Sequence, residues 1–527
     1  MNPVAYSKIG KADDLENKKD RRIYRFFEIM PGLMAWATIL LIIILSFFLP
    51  VYIAVFIIIF DVYWLVKTIY LSFNLRVAFS RLRQNMKVNW KEKLEELDIS
   101  PSVPRSIKHW TDIYHLVIFP MYKESKETVS ASFEGLVRAN YPLSKMIVIL
   151  AIEERAGNEA RETANFIEQN YGHKFLRFLI TVHPSDLAGE ITGKGANASW
   201  AARQAKEKII DPTGIPYSQV VVSNFDIDTV IFPEYFGRLT YVFLTTPDPL
   251  RSSYQPVPFY TNNIWEAPSF ARVVAFSATF WHTIKQELSE SATTFSSHSM
   301  PFKALVDIDF WQTNMVSEDS RVFWQCFLRY DGDYKITPLF YPVSMDANVA
   351  PTFWQTIKNV YKQQRRWGYG VENIPYFLFG FLKNKKISLG KKWFYSFRII
   401  EGFHSWATNA IIIFLLGWLP VIVGGSEFNR TVLSYNLPFL TRIIMSMAMI
   451  GLISSAVLSI ILLPPRPPHY GKFKYLWMVF QWIIFPATTI FLGAMPGLEA
   501  QTRLMLGKYM GFWVTPKHQS SSNKSSE

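Results

Sequence analysis

The chain has 527 residues, of which 50% are hydrophobic and 16% aromatic, and its formal net charge is +13. This length and apolar content exclude a single small domain and a disordered chain, and they are typical of a membrane-associated protein. The basic residues lie beside apolar runs without a nucleic-acid-binding motif, so a membrane surface explains them better than a nucleic acid partner. Because Cys326 is the only cysteine, no internal disulfide can form, which is compatible with a reducing compartment.

The N-terminal part of the chain predicts a membrane hairpin. Residues 1–30 form a polar N-terminal segment, and residues 31–73 contain only two charged residues, Asp61 and Lys67. That stretch is long enough for two spanning helices that turn near Pro50. Basic residues precede and follow the hairpin, which predicts that both of its outer ends face the cytoplasm. We therefore expect a multi-pass integral membrane protein whose soluble domain is cytoplasmic.

The segments after the hairpin predict a connector and then a soluble domain. Residues 74–101 mix charged and apolar residues at helical spacing, as in an amphipathic connector. In residues 102–350, short apolar runs alternate with helical patterns, which indicates βαβ units and a mostly parallel sheet that binds ligands beyond the C-terminal ends of its strands. The predicted strands are Tyr114–Pro120, Met146–Ile152, Phe175–Val182 and Gln219–Phe225, separated by helices over Lys126–Ala139, Asn158–Asn170 and Ala196–Ala205.

The C-terminal part returns to the membrane. Residues 351–400 combine aromatic and basic residues and are predicted to form interfacial helices. Residues 401–500 contain about three apolar runs that are long enough to span, and residues 501–527 are predicted to be an amphipathic and disordered tail. If all three runs span, the basic tail lies outside, against the positive-inside tendency, so the number of spans stays open. The runs are His404–Val423, Pro438–Leu463 and Tyr475–Leu498, and the last carries prolines that predict a kinked or re-entrant segment.

Two carboxylates follow the fourth predicted strand. Asp226 and Asp228 are two residues apart, so on an extended chain they share one face. Hard oxygen ligands of this kind can hold Mg²⁺ or Mn²⁺, which in turn bridges diphosphate oxygens. The ordinary alternative is a turn or a helix cap, and for an isolated acidic pair it is the more frequent one.

A second acidic pair, Glu318 and Asp319, precedes a predicted helix. One of these carboxylates could accept a proton from an attacking hydroxyl. In isolation, acidic residues that favour a helix N-terminus are the simpler explanation. Further along, Gln363, Arg366 and Trp367 share one face of a helix and offer an amide, a guanidinium for phosphate oxygens and a flat ring for a sugar. Membrane anchoring would explain the arginine and the tryptophan but not the glutamine.

The order of these elements, more than any single motif, resembles the processive inverting glycosyltransferases of family 2, which include cellulose, chitin and hyaluronan synthases. The resemblance covers the soluble domain and its flanking helices, and it implies a GT-A-type α/β catalytic domain inserted between transmembrane helices. The residues that carry it are Phe119-Pro120-Met121-Tyr122-Lys123-Glu124, Lys194-Gly195-Ala196-Asn197, Asp226-x-Asp228, Glu318-Asp319 and Gln363-x-x-Arg366-Trp367.

On the donor side, the resemblance implies that Pro120, Tyr122 and Glu124 border the nucleotide and that Lys194 contacts the donor. Where the family usually has an aspartate that contacts uracil, this chain has Ile152, Glu153 and Glu154. Glu153 is therefore the implied donor contact, and its longer side chain must reach the base differently. A UDP-sugar is the expected donor, with the identity of base and sugar left open.

On the catalytic side, the resemblance implies that Asp226 and Asp228 contact ribose, diphosphate and a Mg²⁺ or Mn²⁺ ion. Asp319 is the implied catalytic base, with Glu318 beside it. The implied product is a polysaccharide or a glycolipid, made with inversion at the transferred sugar. The positions implied to close over the diphosphate and the acceptor are Gln363, Arg366 and Trp367, with His298, Ser299 and Met300 as a looser match to the acceptor site.

Two rivals to a polymer synthase stay open. A transferase that adds one sugar to a membrane lipid is favoured by the small number of helices and opposed by the Gln-x-x-Arg-Trp motif. A non-catalytic membrane scaffold or transport component would have the same fold without activity. The expected partners are a nucleotide-sugar, a polysaccharide or lipid-linked acceptor and membrane lipid, with accessory subunits unknown.

Overall fold

The computed structural model describes residues 8–99 and 103–516, and all structural statements below refer to these residues. The disordered part of the tail that the sequence predicts, from Lys517 onwards, lies outside them. The described chain forms one α/β domain that lies between two groups of long apolar helices. The predicted fold class, a mostly parallel sheet domain inserted between such helices, is confirmed.

The α/β domain contains one eight-stranded sheet with strand order β3-β2-β1-β4-β7-β6-β8-β5. The first four strands in this order pair in parallel, and β6 pairs in parallel with β8, whereas β7 and β5 run antiparallel to their neighbours. The strands are β1 Tyr114–Met121, β2 Met146–Glu153, β3 Arg177–His183, β4 Val220–Asn224, β5 Val230–Ile231, β6 Ser252–Phe259, β7 His298–Pro301 and β8 Lys335–Ser344.

Helices cover both faces of the sheet and form the flanking apolar regions. Their bounds are α1 Lys18–Phe48, α2 Pro50–Asn85, α3 Trp90–Glu95, α4 Lys126–Val137, α5 Asn158–Tyr171, α6 Lys194–Ala205, α7 Asp211–Thr213, α8 Tyr235–Thr245, α9 Ser269–Glu287, α10 Phe302–Asp307, α11 Glu318–Arg329, α12 Phe353–Gly368, α13 Asn373–Lys383, α14 Leu389–Phe414, α15 Leu419–Val423, α16 Gly425–Asn429, α17 Val432–Ile461, α18 Phe473–Phe480, α19 Phe485–Thr489 and α20 Met495–Met505.

The central strands β1, β2 and β4 are apolar runs because helices cover both of their faces. Every residue of β2 and β4 is buried, as is all of β1 after Tyr114. Such double coverage is typical of parallel sheets and explains why these strands do not alternate polar and apolar residues. The four strands that the sequence predicts are confirmed, each to within two residues at either end.

The hairpin of α1 and α2 turns at Leu49, directly before Pro50. Proline at the first position of a helix loses no hydrogen bond and has a favourable backbone angle, which explains the location of the turn. α2 continues to Asn85, so the first part of the predicted connector over residues 74–101 is the end of this helix. Only the short α3 after it is a separate helix.

Among the described residues, three helical segments are long and apolar enough to cross a membrane: α1, α2 and the segment Phe473–Met505. A fourth is present if α14 and α15, which are bent by 49° at the break between them, form one span. The predicted run Pro438–Leu463 falls largely in the 30-residue helix α17. Positions 448–450 and 452–454 of α17 lie outside the described side chains.

The segment Phe473–Met505 is broken rather than straight, as its prolines predict. A 3₁₀ turn separates α18 from α19, and a π-helical turn over Ile490–Ala494 separates α19 from α20. α20 packs closely on α1, where a Cβ atom at Gly32 would lie 2.7 Å from Cβ of Met505. This contact joins the two ends of the chain beneath the α/β domain.

Candidate active site

A cavity of about 650 Å³ extends from the C-terminal ends of β1, β2 and β4 to helices α2, α9 and α14. Most of the site residues that the sequence predicts line it, although they come from distant parts of the chain. Those that line it are Pro120, Tyr122, Glu124, Glu153, Lys194, Asp226, Asp228, Asp319, Gln363, Arg366 and Trp367.

The ends of β1 and β2 form an aromatic and charged wall of the cavity. The backbone N–H of Tyr122 donates to Oε2 of Glu124 at 2.7 Å, which fixes the turn after β1. Arg155 lies over the Tyr122 ring at 4.6 Å and forms an ion pair with the buried Glu153. The guanidinium of Arg155, which does not itself line the cavity, fixes the wall residues Tyr122 and Glu153, and the flat ring of Tyr122 is a surface suited to a nucleotide base. Arg155 was not among the sequence-predicted residues.

Asp226 and Asp228 follow β4 and differ in their surroundings. Asp228 is 1% exposed, and its Oδ2 accepts a hydrogen bond from the backbone N–H of Asp346 at 3.0 Å. Asn262 bridges the same region by donating to the backbone oxygen of Asp228 and to Oδ1 of Asp346. The side chain of Asp226 is 28% exposed and faces the cavity. One aspartate is therefore held rigidly and the other is accessible to a ligand.

Lys194 connects the two acidic motifs. Its Nζ lies 2.6 Å from Oδ1 of Asp226 and 3.1 Å from Oδ1 of Asp319, and it donates to Oγ of Ser296 at 3.0 Å. Burial disfavours the charged ammonium, but the carboxylates of Asp226 and Asp319 outweigh this effect and raise the pKa of Lys194. The lysine is therefore a permanent cation between the strand-end pair and the pair at the start of α11.

Glu318 and Asp319 occupy the first turn of α11 but have different environments. Asp319 lines the cavity, whereas Glu318 is 1% exposed and packs against Gly195, where an added Cβ would lie 2.8 Å from Cγ of Glu318. Burial, and next the charge of Asp319, raises the pKa of Glu318 to about 8, while Lys194 lowers it. Glu318 is therefore largely protonated at neutral pH, and Asp319 is the carboxylate that faces a ligand.

Glu372 holds the turn that presents these two residues. Its Oε1 accepts hydrogen bonds from the backbone N–H groups of Val316 at 3.1 Å and Ser317 at 2.8 Å, and from the Ser317 hydroxyl. Arg321 donates to the backbone oxygen of Glu372 at 3.1 Å, which ties α11 to the same point. Sequence reasoning missed Glu372 because its partners lie more than 50 positions away.

The Gln-x-x-Arg-Trp residues lie on the cavity side of α12, as their helical spacing predicts. Gln363 accepts a long hydrogen bond from Asn348 at 3.4 Å, and the Trp367 ring lies 6.1 Å from that of Tyr260. Arg366 lines the same cavity, and its charge lowers the pKa values of the buried groups Tyr260 and Glu318. The helix therefore presents a cation and a flat ring opposite the carboxylates.

His298 does not line the cavity. It is the first residue of β7, is fully buried, and donates a 3.0 Å hydrogen bond from Nδ1 to the backbone oxygen of Phe295. Burial lowers its pKa to about 4, so it is neutral at physiological pH. Ser299 and Met300 are also buried in β7. The loop before β7 lines the cavity instead, through Phe295 and Ser296.

The chain after α20 also lines the cavity, which the sequence did not predict. Phe512, Val514 and Thr515 are wall residues, and the Arg366 guanidinium lies 5.0 Å from the Phe512 ring. The same ring approaches Gly193, where a Cβ atom would lie 2.6 Å from it. This part of the tail, which precedes the segment that is predicted to be disordered, therefore covers the cavity between α6 and α12. The apolar run Met510–Val514 was the available signal.

The residues present fit a divalent cation whose coordination is completed by phosphate oxygens of a ligand. Three carboxylates, Asp226, Asp228 and Asp319, face two cations, Lys194 and Arg366, so the pocket is net negative and would repel a diphosphate by itself. Among residues 8–99 and 103–516, no group of three or more acidic, histidine or cysteine side chains could hold a metal alone. Mg²⁺ is commonly held by one or two carboxylates together with substrate phosphates, which is the donor set that Asp226 and Asp228 offer.

No protein-family model and no curated protein matches the chain. Among solved structures, mannosyltransferase PcManGT from Pyrobaculum calidifontis, in complex with GDP-Man and Mn²⁺, is 13% identical with a TM-score of 0.39, covering 77% of this chain and 99% of its own. S. aureus TarS 1-349 is 12% identical with a TM-score of 0.35, covering 66% and 90%. GalNAc-T7 with UDP, GalNAc and Mn²⁺ is 9% identical with a TM-score of 0.30, covering 65% and 61%. At these values the likenesses assign no activity to this chain.

Proposed function

We propose that this chain is a membrane-embedded inverting glycosyltransferase that moves a sugar from a nucleotide-sugar, with a UDP-sugar as the expected donor, to a glycan or lipid acceptor. The observation that carries the proposal is the convergence of Asp226, Asp319 and Lys194 within salt-bridge distance in one cavity. These residues come from separate parts of the chain, at positions 194, 226 and 319, and meet there together with Arg366 and Trp367. Ion pairs that served only to stabilise the fold would not require a tryptophan and an arginine at the same cavity.

The catalytic base of the proposed reaction is Asp319. Its carboxylate faces the cavity while the neighbouring Glu318 is buried and largely protonated, so only one member of the pair can accept a proton from a ligand. As the acceptor hydroxyl loses its proton to Asp319, its oxygen forms a bond to the anomeric carbon. The bond between that carbon and the phosphate oxygen breaks on the opposite side, which inverts the configuration.

Negative charge then develops on the departing nucleoside diphosphate. Lys194 and Arg366 are the cations that the chain itself supplies for this charge, and their fixed positions stabilise it without reorganisation. A divalent cation held by Asp226 and Asp228, when bound, would supply further electrostatic stabilisation of the diphosphate. The flat ring of Trp367 would orient the acceptor sugar by stacking.

The cavity that holds Asp319 also reaches helices α2, α9 and α14, which supports a catalytic domain that works at the membrane surface. Residues of the motifs that resemble a processive family 2 enzyme line that cavity. A single-addition transferase would use the same residues. Product length distinguishes the two, because a polymer synthase yields a ladder and a lipid glycosyltransferase yields one species.

The experiment is donor turnover by the purified full chain in neutral detergent, screened with uridine and guanosine diphosphate sugars in the presence of Mg²⁺ or Mn²⁺. We expect release of nucleoside diphosphate from one donor, and a loss of roughly 10²- to 10⁴-fold in Asp319→Asn, as for a general base. The matched control is Asp186→Asn, an exposed aspartate after β3 that does not line the cavity. Equal donor turnover in Asp319→Asn and wild type would contradict the proposal.

A further inference from the structure

A second charged cluster lies in the same cavity, at its membrane end. Lys67 of α2, Lys285 of α9, and Arg398 and Glu401 of α14 all line the wall there. The cluster carries three cations and one carboxylate, so its net charge is +2. None of these residues belongs to the motifs that carry the proposed transfer reaction.

The single carboxylate of the cluster is already engaged. Lys67 Nζ lies 2.6 Å from Oε1 of Glu401, which also accepts a hydrogen bond from Oγ of Ser405 at 2.8 Å. Across the described parts of the chain, neither Lys285 nor Arg398 forms an ion pair with an acidic side chain. The half-buried Lys285 therefore lacks a counter-charge, which is costly unless an anion binds there, and the exposed Arg398 adds a second cation beside it.

The behaviour of Lys285 supports an uncompensated positive field. Burial, followed by the charges of Arg398 and Lys67, lowers its pKa to about 8, with Glu401 acting in the opposite direction. Its Nζ donates only to the hydroxyl of Ser291, at 3.3 Å, which leaves two of the three ammonium donors available for a ligand. A bound anion would satisfy those donors and offset the field.

The cluster lies at the level of the membrane where lipid headgroups are found. Lys67 is about 25 Å along α2 from the turn at Pro50, at 1.5 Å of rise per residue, close to the thickness of the hydrocarbon core. On α14, Arg398 and Glu401 directly precede the apolar run that begins near His404. The charges therefore lie at the interface on the side of the α/β domain.

The cavity reaches the protein surface at this level. Wall residues are exposed here, among them Trp281 of α9 at 47% and Arg398 of α14. Apolar side chains beside them are also exposed, including Phe397 at 67% and Val66 at 61%. A molecule with an anionic head and an apolar tail could place its head among the cations and its tail along α2 and α14. A soluble anion would not use that apolar surface.

We propose that Lys67, Lys285 and Arg398 form a binding site for the phosphate group of a membrane lipid that serves as the acceptor or carries it. The role of this lipid as an acceptor rests on the proposed function, because the lipid phosphate would hold the acceptor in the cavity that contains Asp319. The site itself is a property of the cluster and can be tested without any sugar transfer.

The test is equilibrium binding of dodecyl phosphate to the full chain in neutral dodecyl maltoside, measured by titration calorimetry. We expect wild type to bind, and Lys285→Gln/Arg398→Gln to bind roughly tenfold or more weakly, since hydrogen bonds to charged groups are the stronger ones. Lys285→Arg, which keeps the charge, should bind like wild type. The matched control is Arg83→Gln, an exposed cation in the last turn of α2 outside the cavity.

Several results would overturn the proposal. These are no binding by wild type, equal binding by the double variant, equally tight binding of inorganic phosphate, or preference for a glucuronate oligosaccharide over dodecyl phosphate. The last result would indicate an anionic glycan instead of a lipid. Thermal unfolding checks that the double variant is folded, and Lys285→Ala alone provides a milder second variant with the same expected direction. Donor turnover, measured in parallel on wild type, fails or succeeds independently and so reports on the proposed function alone.

Discussion

The two ends of the cavity have opposite charge. At the strand end, Asp226, Asp228 and Asp319 outnumber the cations, whereas at the membrane end three cations face Glu401 alone. An acidic pocket needs a metal or a lysine before it can accept a diphosphate, while a basic pocket attracts an anion directly. The difference fits the two proposals made above, in which one end takes a nucleotide-sugar that arrives with a cation and the other end takes an acceptor that carries its own negative charge.

The largest effect that separates the two ends is expected from Lys194→Met. The substitution removes the cation between Asp226 and Asp319 and leaves their charges to repel a diphosphate. We expect a loss of donor turnover of roughly 10²- to 10³-fold, comparable with the loss of one preorganised donor at a developing charge. Binding of dodecyl phosphate at the other end should persist. Lys208→Met, an exposed lysine away from the cavity, is the control.

A smaller effect is expected from Phe512→Ala. The ring lies against Gly193 and under the Arg366 guanidinium, so its loss should open the cover over the strand end. We expect a rise in the donor KM of about tenfold or less, since a cation–π contact contributes about 0.5–2 kcal/mol. Trp513→Ala removes the neighbouring ring, which contacts Lys362 instead and is not part of the cavity wall. Equal KM changes in both variants would show that the tail acts only through general packing.

Glu372→Ala tests whether the strand end depends on the turn before α11. The substitution leaves the backbone N–H groups of Val316 and Ser317 without their acceptor. The free energy of unfolding should fall by about 1–3 kcal/mol, the usual cost of a buried unsatisfied polar group. Thermal unfolding measures this change, and Glu372→Gln, which keeps one acceptor oxygen, should recover part of it. No loss in either variant would show that Glu372 does not support the turn.

A last test of the strand end is a pH dependence of stability from Glu318. Its pKa is raised to about 8 in the folded protein, above the value of 4.5 for an unperturbed glutamate. The folded state therefore binds this proton more tightly than the unfolded state does. The contribution of Glu318 to the free energy of unfolding is complete below pH 4.5 and is lost as the pH rises toward 8. Glu318→Gln should remove this loss, and its midpoint temperature should gain on wild type between pH 5 and pH 8. If the difference in midpoint temperature between Glu318→Gln and wild type is the same at pH 5 and pH 8, Glu318 is not held in its protonated form.

The sequence predicted the parts of this structure that depend on local pattern. The Val- and Ile-rich strands β1, β2 and β4 were found because a strand covered on both faces is a continuous apolar run, and the strand-end position placed Asp226 and Asp228 correctly. The shared face of Gln363, Arg366 and Trp367 followed from helical spacing. These features need only a few neighbouring residues to be recognised.

Features that depend on distant contacts were missed. The tail around Phe512 covers the site because α20 returns to α12, and no local pattern specifies that return. His298 follows two polar residues and resembles a loop ligand, but β7 pairs with β4 and buries it. The membrane-end cations come from α2, α9 and α14, whose relative positions only the folded chain defines.

The central claim is that one cavity holds two separate and oppositely charged sites. The most direct measurement is the Kd of dodecyl phosphate for the full chain, taken without nucleotide and then with saturating UDP and Mg²⁺. The account predicts that both ligands bind together and that the Kd changes by less than the roughly fivefold that marks allosteric coupling. Competitive displacement of dodecyl phosphate by UDP, with an apparent Kd that rises in proportion to nucleotide concentration, would show a single anion site and contradict the account.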